Sequence, residues 1–309
     1  MDFRVLTEPH LAPGGAAGYD RLLRLALAAE ATGYDGFFRT DHYPAGRDAR
    51  PSDAWTTLAA LARDTRTIRL GVMGSTVTFR EPGVLAVTAA DVDALAGGGR
   101  VEVALSMGWS EAEHTAYGIP LPGTPVRLAM YEEQLRVLRG VHATAPAESF
   151  SFAGNHYRIA GIPGLAGHPL PLIVGGGGIG ADTKVALAAR YADEFNVPYT
   201  AAKEVRAEYD KVIEKCNEIN RDPEELRWSV SLPLCCGTTQ QDMRRRRAAT
   251  GRSPDELARI GVVGTPRQCA DTLSTFAELG VDRVYLQILD LDDVDQIELF
   301  ASTVFGLLN

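Results

Sequence analysis

The pair Asp41-His42 follows an apolar stretch, residues 36–40, that reads as a buried strand. A histidine placed there can move a proton, or hydrogen-bond a flat heterocycle or a substrate carbonyl. The other reading is a histidine that ties down a loop. Asp41 either orients the imidazole or bonds loop backbone, and His10 is a further candidate of the same kind. A second chemistry is written in Pro171-Leu172-Ile173-Val174-Gly175-Gly176-Gly177-Gly178-Ile179-Gly180. Its first four residues read as a short buried strand, and residues 182–191 carry helical spacing. A chain that turns through glycine into a helix presents bare backbone N–H groups at a helix N-terminus, and such a place binds phosphate. A plain tight turn is the alternative, because glycine also serves left-handed backbone with no ligand. The dinucleotide fingerprint is not met, since no acidic residue is suitably spaced after a first strand–helix unit.

Glu111, Glu113 and His114 sit on a short expected helix, where Glu-x-x-His can face one metal ion. No second such motif occurs, which favours a capping or solvated face and no metal site. A helix spreads Arg244, Arg245, Arg246 and Arg247 round its circumference, so a mostly solvated face is expected, with contact to an anionic cofactor tail as the alternative. Cys216, Cys235, Cys236 and Cys269 lack metal-ligand spacing and read as idle thiols in a reducing cytoplasm.

Strands are expected at 3–8, 36–40, 68–73, 101–106, 171–174, 194–197, 228–236 and 283–289, each followed by a helix. Ser52 is the expected N-cap of the second helix, Pro82 opens the third, and Thr265-Pro266 reads as an N-cap followed by proline. Eight repeated strand–helix units imply a closed α/β fold, a (β/α)8 TIM barrel spanning 1–309 as one domain, with an open doubly wound sheet as the competitor. Active sites of such barrels form at the C-terminal ends of the strands, where Asp41-His42 and the glycine turn both fall. Longer stretches at 109–124, 149–161 and 237–263 read as lids or binding loops, the middle one as a hairpin. The net charge of −9 argues against nucleic acid as a partner. No apolar run approaches a membrane span, and the N-terminus lacks the apolar core of a signal peptide. A cytoplasmic protein acting on a small molecule, as a homodimer, is the expectation.

Several short motifs occur in one order: Phe38-Arg39-Thr40-Asp41-His42, Val77-Thr78-Phe79-Arg80-Glu81-Pro82, Gly108-Trp109-Ser110-Glu111-Ala112-Glu113-His114, the glycine turn, Arg190-Tyr191-Ala192-Asp193-Glu194-Phe195-Asn196 and Val284-Tyr285-Leu286-Gln287. Together they resemble the luciferase-like monooxygenase superfamily over essentially the whole chain, and within it the deazaflavin (coenzyme F420)-dependent oxidoreductases. The resemblance implies an isoalloxazine-like ring at the C-terminal mouth, with Asp41 and His42 as catalytic residues. It implies a bulge in the third strand, often with a non-proline cis peptide, which falls near Met73-Gly74. It also assigns Ser106, Met107 and Gly108 to the ring, and Gly176, Gly177 and Gly178 to the phosphate. Sugar-phosphate dehydrogenases of this group carry a glutamate about where Trp109 stands here, and an aromatic closely after the Asp-His. Here Tyr43-Pro44-Ala45-Gly46 follows the pair and no glutamate occupies the Trp109 position, which argues against glucose-6-phosphate as substrate. The expected function is hydride transfer between coenzyme F420 and a small organic substrate. The alternatives are a monooxygenase using reduced flavin mononucleotide (FMN) and oxygen, and a barrel that only carries such a cofactor.

Overall fold

Parallel strands alternate with helices from one end of the chain to the other. The computed structural model describes residues 1–8, 15–46, 50–165, 169–178 and 180–308, so His10 lies outside the described residues. The first half builds β1 (Asp2–Thr7), α1 (Gly15–Ala31), β2 (Gly36–Arg39), α2 (Ala54–Asp64), β3 (Arg69–Thr76), α3 (Pro82–Leu95) and β4 (Val101–Ser106). After β4 come a short helix α4 (Glu111–Tyr117), the long α5 (Thr124–Ala143) and a hairpin of β5 (Ser149–Ala153) and β6 (Arg158–Pro163). The second half runs β7 (Leu172–Gly175), α6 (Ala181–Tyr191), β8 (Glu194–Pro198), α7 (Ala202–Glu218) and β9 (Arg227–Cys236). It continues through α8 (Gln240–Ala249), α9 (Pro254–Ile260), β10 (Val262–Gly264), α10 (Pro266–Glu278), β11 (Arg283–Gln287) and α11 (Val294–Leu308).

Parallel pairing runs β9-β11-β1-β2-β3-β4-β7-β8, and β8 pairs back to β9, which closes an eight-stranded barrel. The short β10 adds to β9 beyond the closed ring. Buried parallel strands read as near-continuous apolar runs, which is why these eight were legible in the sequence. Their outward side chains and the helices form one large core. Inside the barrel, Leu6, Phe38, Ala104, Ile173 and Tyr285 form a separate apolar layer. Phe38 fits only because its neighbour is glycine: a Cβ on Gly71 would stand 2.0 Å from the ring. Below that layer the barrel is plugged by ion pairs, with Arg4 2.6 Å from Glu102 and Arg283 bonded to Glu194. A cavity of about 900 Å³ opens at this N-terminal end, lined by paired charges, and lies opposite the mouth.

One local expectation changes. Asp53, not Ser52, caps α2, accepting from Thr56 N at 2.8 Å. Ser52 instead receives the buried Arg39 guanidinium. The arginine run on α8 is mostly solvated, as expected, with Arg244, Arg245 and Arg247 exposed; Arg246 is buried and bonded to both oxygens of Asp293. Thr265 forms a capping box with Gln268, as its spacing implied. The 149–161 hairpin lies along α5: Phe150 fills the space over Gly140, and Glu133 accepts the N–H groups of Asn155, His156 and Tyr157 at its tip. Near that tip the Tyr157 hydroxyl donates to Val77 O, just past β3, at 3.3 Å.

Candidate active site

His42 lies just past β2, half-buried. Its Nδ1 stands 2.9 Å from Glu113 Oε1 and 3.3 Å from Oε2. Glu113 Oε2 also accepts the backbone N–H of Tyr43 at 3.3 Å. Asp41 is buried and turns away from this pair. Both its oxygens are bound by Arg80, whose guanidinium also reaches the Tyr43 hydroxyl at 3.0 Å and the Asp53 carboxylate. Burial pushes the Asp41 carboxyl up against the pull of Arg80. Burial pushes Asp53 the same way, but the Tyr43 hydroxyl and Arg80 outweigh it and hold its carboxyl at about 2. Asp41 therefore fixes the backbone of the histidine loop, while a residue of the next long insertion holds the imidazole.

β3 carries a register shift against β4 between Val72 and Ser75, and the Met73–Gly74 peptide bond within it is cis. Glycine is required there by close approach, since a Cβ on Gly74 would stand 3.0 Å from the Leu105 carbonyl group. Met73 packs against the apolar layer inside the barrel. Trp55 of α2 donates to Ser75 Oγ at 2.8 Å and fixes the strand after the bulge. The β4 loop is tied back in turn: Ser106 Oγ stands 3.3 Å from Thr76 Oγ1 and accepts the Gly108 N–H at 3.4 Å.

A pocket of about 260 Å³ opens at this end of the barrel. It is lined by Ser106, Met107, Gly108 and Trp109 on one side, and by Gly175, Gly176 and Lys184 on another. Trp109 is 72% exposed and its ring stands 5.9 Å from that of His42, edge to face. The Gly176 N–H is spent on Asn196 O at 2.7 Å, whereas Gly177 and Gly178 are left-handed and have open space where a Cβ would be. The helix they lead into, α6, has Gly180 as N-cap and no side chain capping its first turn. Lys184, on that same turn, donates to Gly177 O, and burial pulls its ammonium pKa down.

The pocket thus joins the β4 loop to Gly175-Gly176, and Lys184 links it to Gly177; His42 borders it through Trp109. Asp41 is drawn off to Arg80. The Glu-x-x-His motif does not gather a metal: Glu111 is exposed, His114 is buried with Nε2 2.7 Å from Thr78 Oγ1, and no cluster of metal ligands occurs among the described residues. Sequence reasoning missed Glu113 as the partner of His42, and it missed Lys184. The signal for Lys184 was present, as a cation one helical turn past a glycine turn. No local signal marked Glu113, which is 71 positions from His42.

The arrangement suits a flat ring with an anionic tail. Gly177 and Gly178 form a cradle that side chains would fill, the helix after them has no side-chain cap, and the half-buried Lys184 stands by. Fold and mouth define a (β/α)8 barrel with a pocket at the C-terminal ends of its strands. Residues 1–254 match the model of the luciferase-like monooxygenases, and the chain belongs to that family. It is 31% identical over 186 residues to an F420-dependent glucose-6-phosphate dehydrogenase of Nakamurella multipartita, a match spanning 58% of this chain and about half, 52%, of that protein. A protein of the same description from Intrasporangium calvum is 24% identical over 320 residues, 93% of this chain and 94% of its own. An FMNH2-dependent dimethylsulfone monooxygenase of Pseudomonas putida is also 24% identical, over 92% of this chain and 86% of its own. Among solved structures, an F420-dependent secondary alcohol dehydrogenase holding an F420–acetone adduct superposes with a TM-score of 0.81 at 18% identity, covering 100% of this chain and 99% of that one. An EDTA monooxygenase from Chelativorans superposes at 0.79 and 18%, covering 100% and 93%. These two likenesses speak for the fold.

Proposed function

We propose that the protein is an oxidoreductase that moves a hydride between coenzyme F420 and a small organic substrate at the C-terminal mouth. The observation that carries this reading is the pocket joining the Ser106–Trp109 loop to the glycine turn and Lys184, with the His42 ring 5.9 Å from that of its lining residue Trp109. Coenzyme F420, when bound, supplies a two-electron hydride carrier. The protein's own work is then positional. Gly177, Gly178 and Lys184 hold the phosphate, and Ser106, Met107, Gly108 and the Met73-Gly74 bulge line the ring's place. His42 donates or accepts the proton that accompanies the hydride, and Trp109 keeps water from the substrate side. The reading assumes a reducing cytoplasm, in line with the four free, buried cysteines, and a homodimer.

The test is a fluorescence titration of the protein with coenzyme F420 and, in parallel, with FMN. Saturable binding of the deazaflavin in preference to FMN is the expected result. His42→Ala then keeps that binding and loses turnover by about 10² to 10⁴. Unchanged turnover removes His42 from the mechanism. A second reading, a monooxygenase using reduced FMN and oxygen, is favoured by the nearly full-length likeness to the dimethylsulfone monooxygenase. Preference for FMN together with oxygen consumption would establish it in place of the first.

A further inference from the structure

We propose that Glu113 is a positioning residue for His42: it holds the imidazole in the Nδ1–H tautomer and so makes Nε2 the nitrogen that takes up or delivers the proton. This rests on the reading of the mouth as a hydride-transfer site. Glu113 is set in place from several sides. Ser110 caps α4, its hydroxyl accepting the Glu113 N–H at 3.3 Å. The next residue, His114, is pinned at both ring nitrogens, Nδ1 2.7 Å from Ser110 O and Nε2 2.7 Å from Thr78 Oγ1. One turn on, the Tyr117 hydroxyl donates to Pro44 O at 3.2 Å, and its ring packs 5.3 Å from that of Tyr43. These contacts tie the helix to the loops after β2 and β3 at once.

The Glu113 carboxylate, 12% exposed, has its oxygens on His42 Nδ1 and the Tyr43 N–H. A carboxylate only accepts, so the proton it shares with a neutral imidazole sits on Nδ1 and the ring's lone pair sits on Nε2. The neighbouring carboxylates of the same two loops are placed elsewhere. Both oxygens of Asp41 are engaged by Arg80, and Glu111 is exposed. A second group that fixes the tautomer of a proton-transferring histidine is a recurring device in catalysis.

The test reads the tautomer directly. Side-chain proton–nitrogen correlation spectra of ¹⁵N-histidine protein resolve each imidazole, and the chain has only 6 histidines, so His42→Gln assigns the signal. Wild type is expected to show His42 with the proton on Nδ1 and none on Nε2. In Glu113→Gln the carboxamide can donate to Nδ1, and the population moves toward Nε2–H. Turnover of that variant falls by about 10² to 10⁴, cofactor affinity stays at the wild-type value, and Glu113→Asp recovers part of the loss. An Nε2–H tautomer in wild type overturns the proposal without any variant. So does a Glu113→Gln protein with unmoved tautomer or wild-type kcat. The spectra need no cofactor, so a protein that binds neither F420 nor FMN refutes the functional reading while the tautomer still decides this one.

Discussion

Replacing Arg80 with alanine removes the counter-charge from a carboxylate that has almost no access to water. The Asp41 side chain is 1% exposed and that of Arg80 13%, so the pair belongs with buried ion pairs and not with surface ones. An exposed pair is worth about 0–1 kcal/mol, but breaking a buried one by deleting one partner costs about 3–5 kcal/mol, because the remaining charge is stranded. For a chain of 309 residues the unfolding entropy near the midpoint is about 0.65 kcal/mol per kelvin, so Arg80→Ala should lower Tm by about 5–8 °C. Burial already raises the Asp41 carboxyl pKa with Arg80 present, and without Arg80 it rises further. A carboxyl whose folded pKa lies above its unfolded one destabilises while ionised, and the cost shrinks as pH falls toward the folded value. Denaturant melts at about pH 7.5 and about pH 5.5 should therefore show the larger deficit at the higher pH. Asp41→Asn in the same chain removes the stranded charge and most of the deficit. The reasoning fails if Arg80→Ala costs less than about 1 kcal/mol at the higher pH, or if the cost is the same in the Asp41→Asn background.

Lys184→Ala should weaken cofactor binding about tenfold to hundredfold, the equivalent of one charge-assisted hydrogen bond. Titration of the variant beside wild type checks this, and equal affinities would remove Lys184 from the phosphate site. Gly71→Ala drives a methyl to 2.0 Å from the Phe38 ring inside the barrel, and should cost about 1–3 kcal/mol in denaturant melts; an unchanged midpoint would mean the inner layer yields without strain. Asp53 titrates at about 2 when folded against an ordinary 3.8. Its depressed pKa contributes stability that is present above the ordinary value and lost as pH falls through the folded one. With a side chain 32% exposed, the contribution discounts to about 1–2 kcal/mol. Asp53→Asn keeps the N-cap oxygen but loses the charge and the Oδ2 acceptor of Tyr43 and Arg80, so the gap between wild type and variant should narrow on acidification as far as the charge carries it.

Much of the scaffold is local physics and was therefore legible. Each barrel strand is a short apolar run because both its faces are buried, and α3 begins at Pro82 and α10 at Thr265-Pro266 because helix starts need a cap or a residue without an N–H. Where two cap-type residues stood side by side, the choice between Ser52 and Asp53 was tertiary: Arg39, reaching out of β2, takes the serine. Arg246 is likewise pulled from a solvated face by Asp293, 47 positions away. The candidate site divides in the same manner. Its loops and the glycine turn follow from residue types and order along the chain, and the bulge at Met73-Gly74 was implied by the family resemblance. Helical spacing alone puts Glu111 and His114 on one face, yet the docked helix sends His114 to Thr78 and Glu113 to His42. By itself, then, the sequence determined the barrel and the order of its loops, since periodicity, caps and glycine turns act over a few residues. Only the tertiary structure decided which charged groups meet, because those pairs form across loops that barrel closure brings together, and no short-range pattern carries that distance.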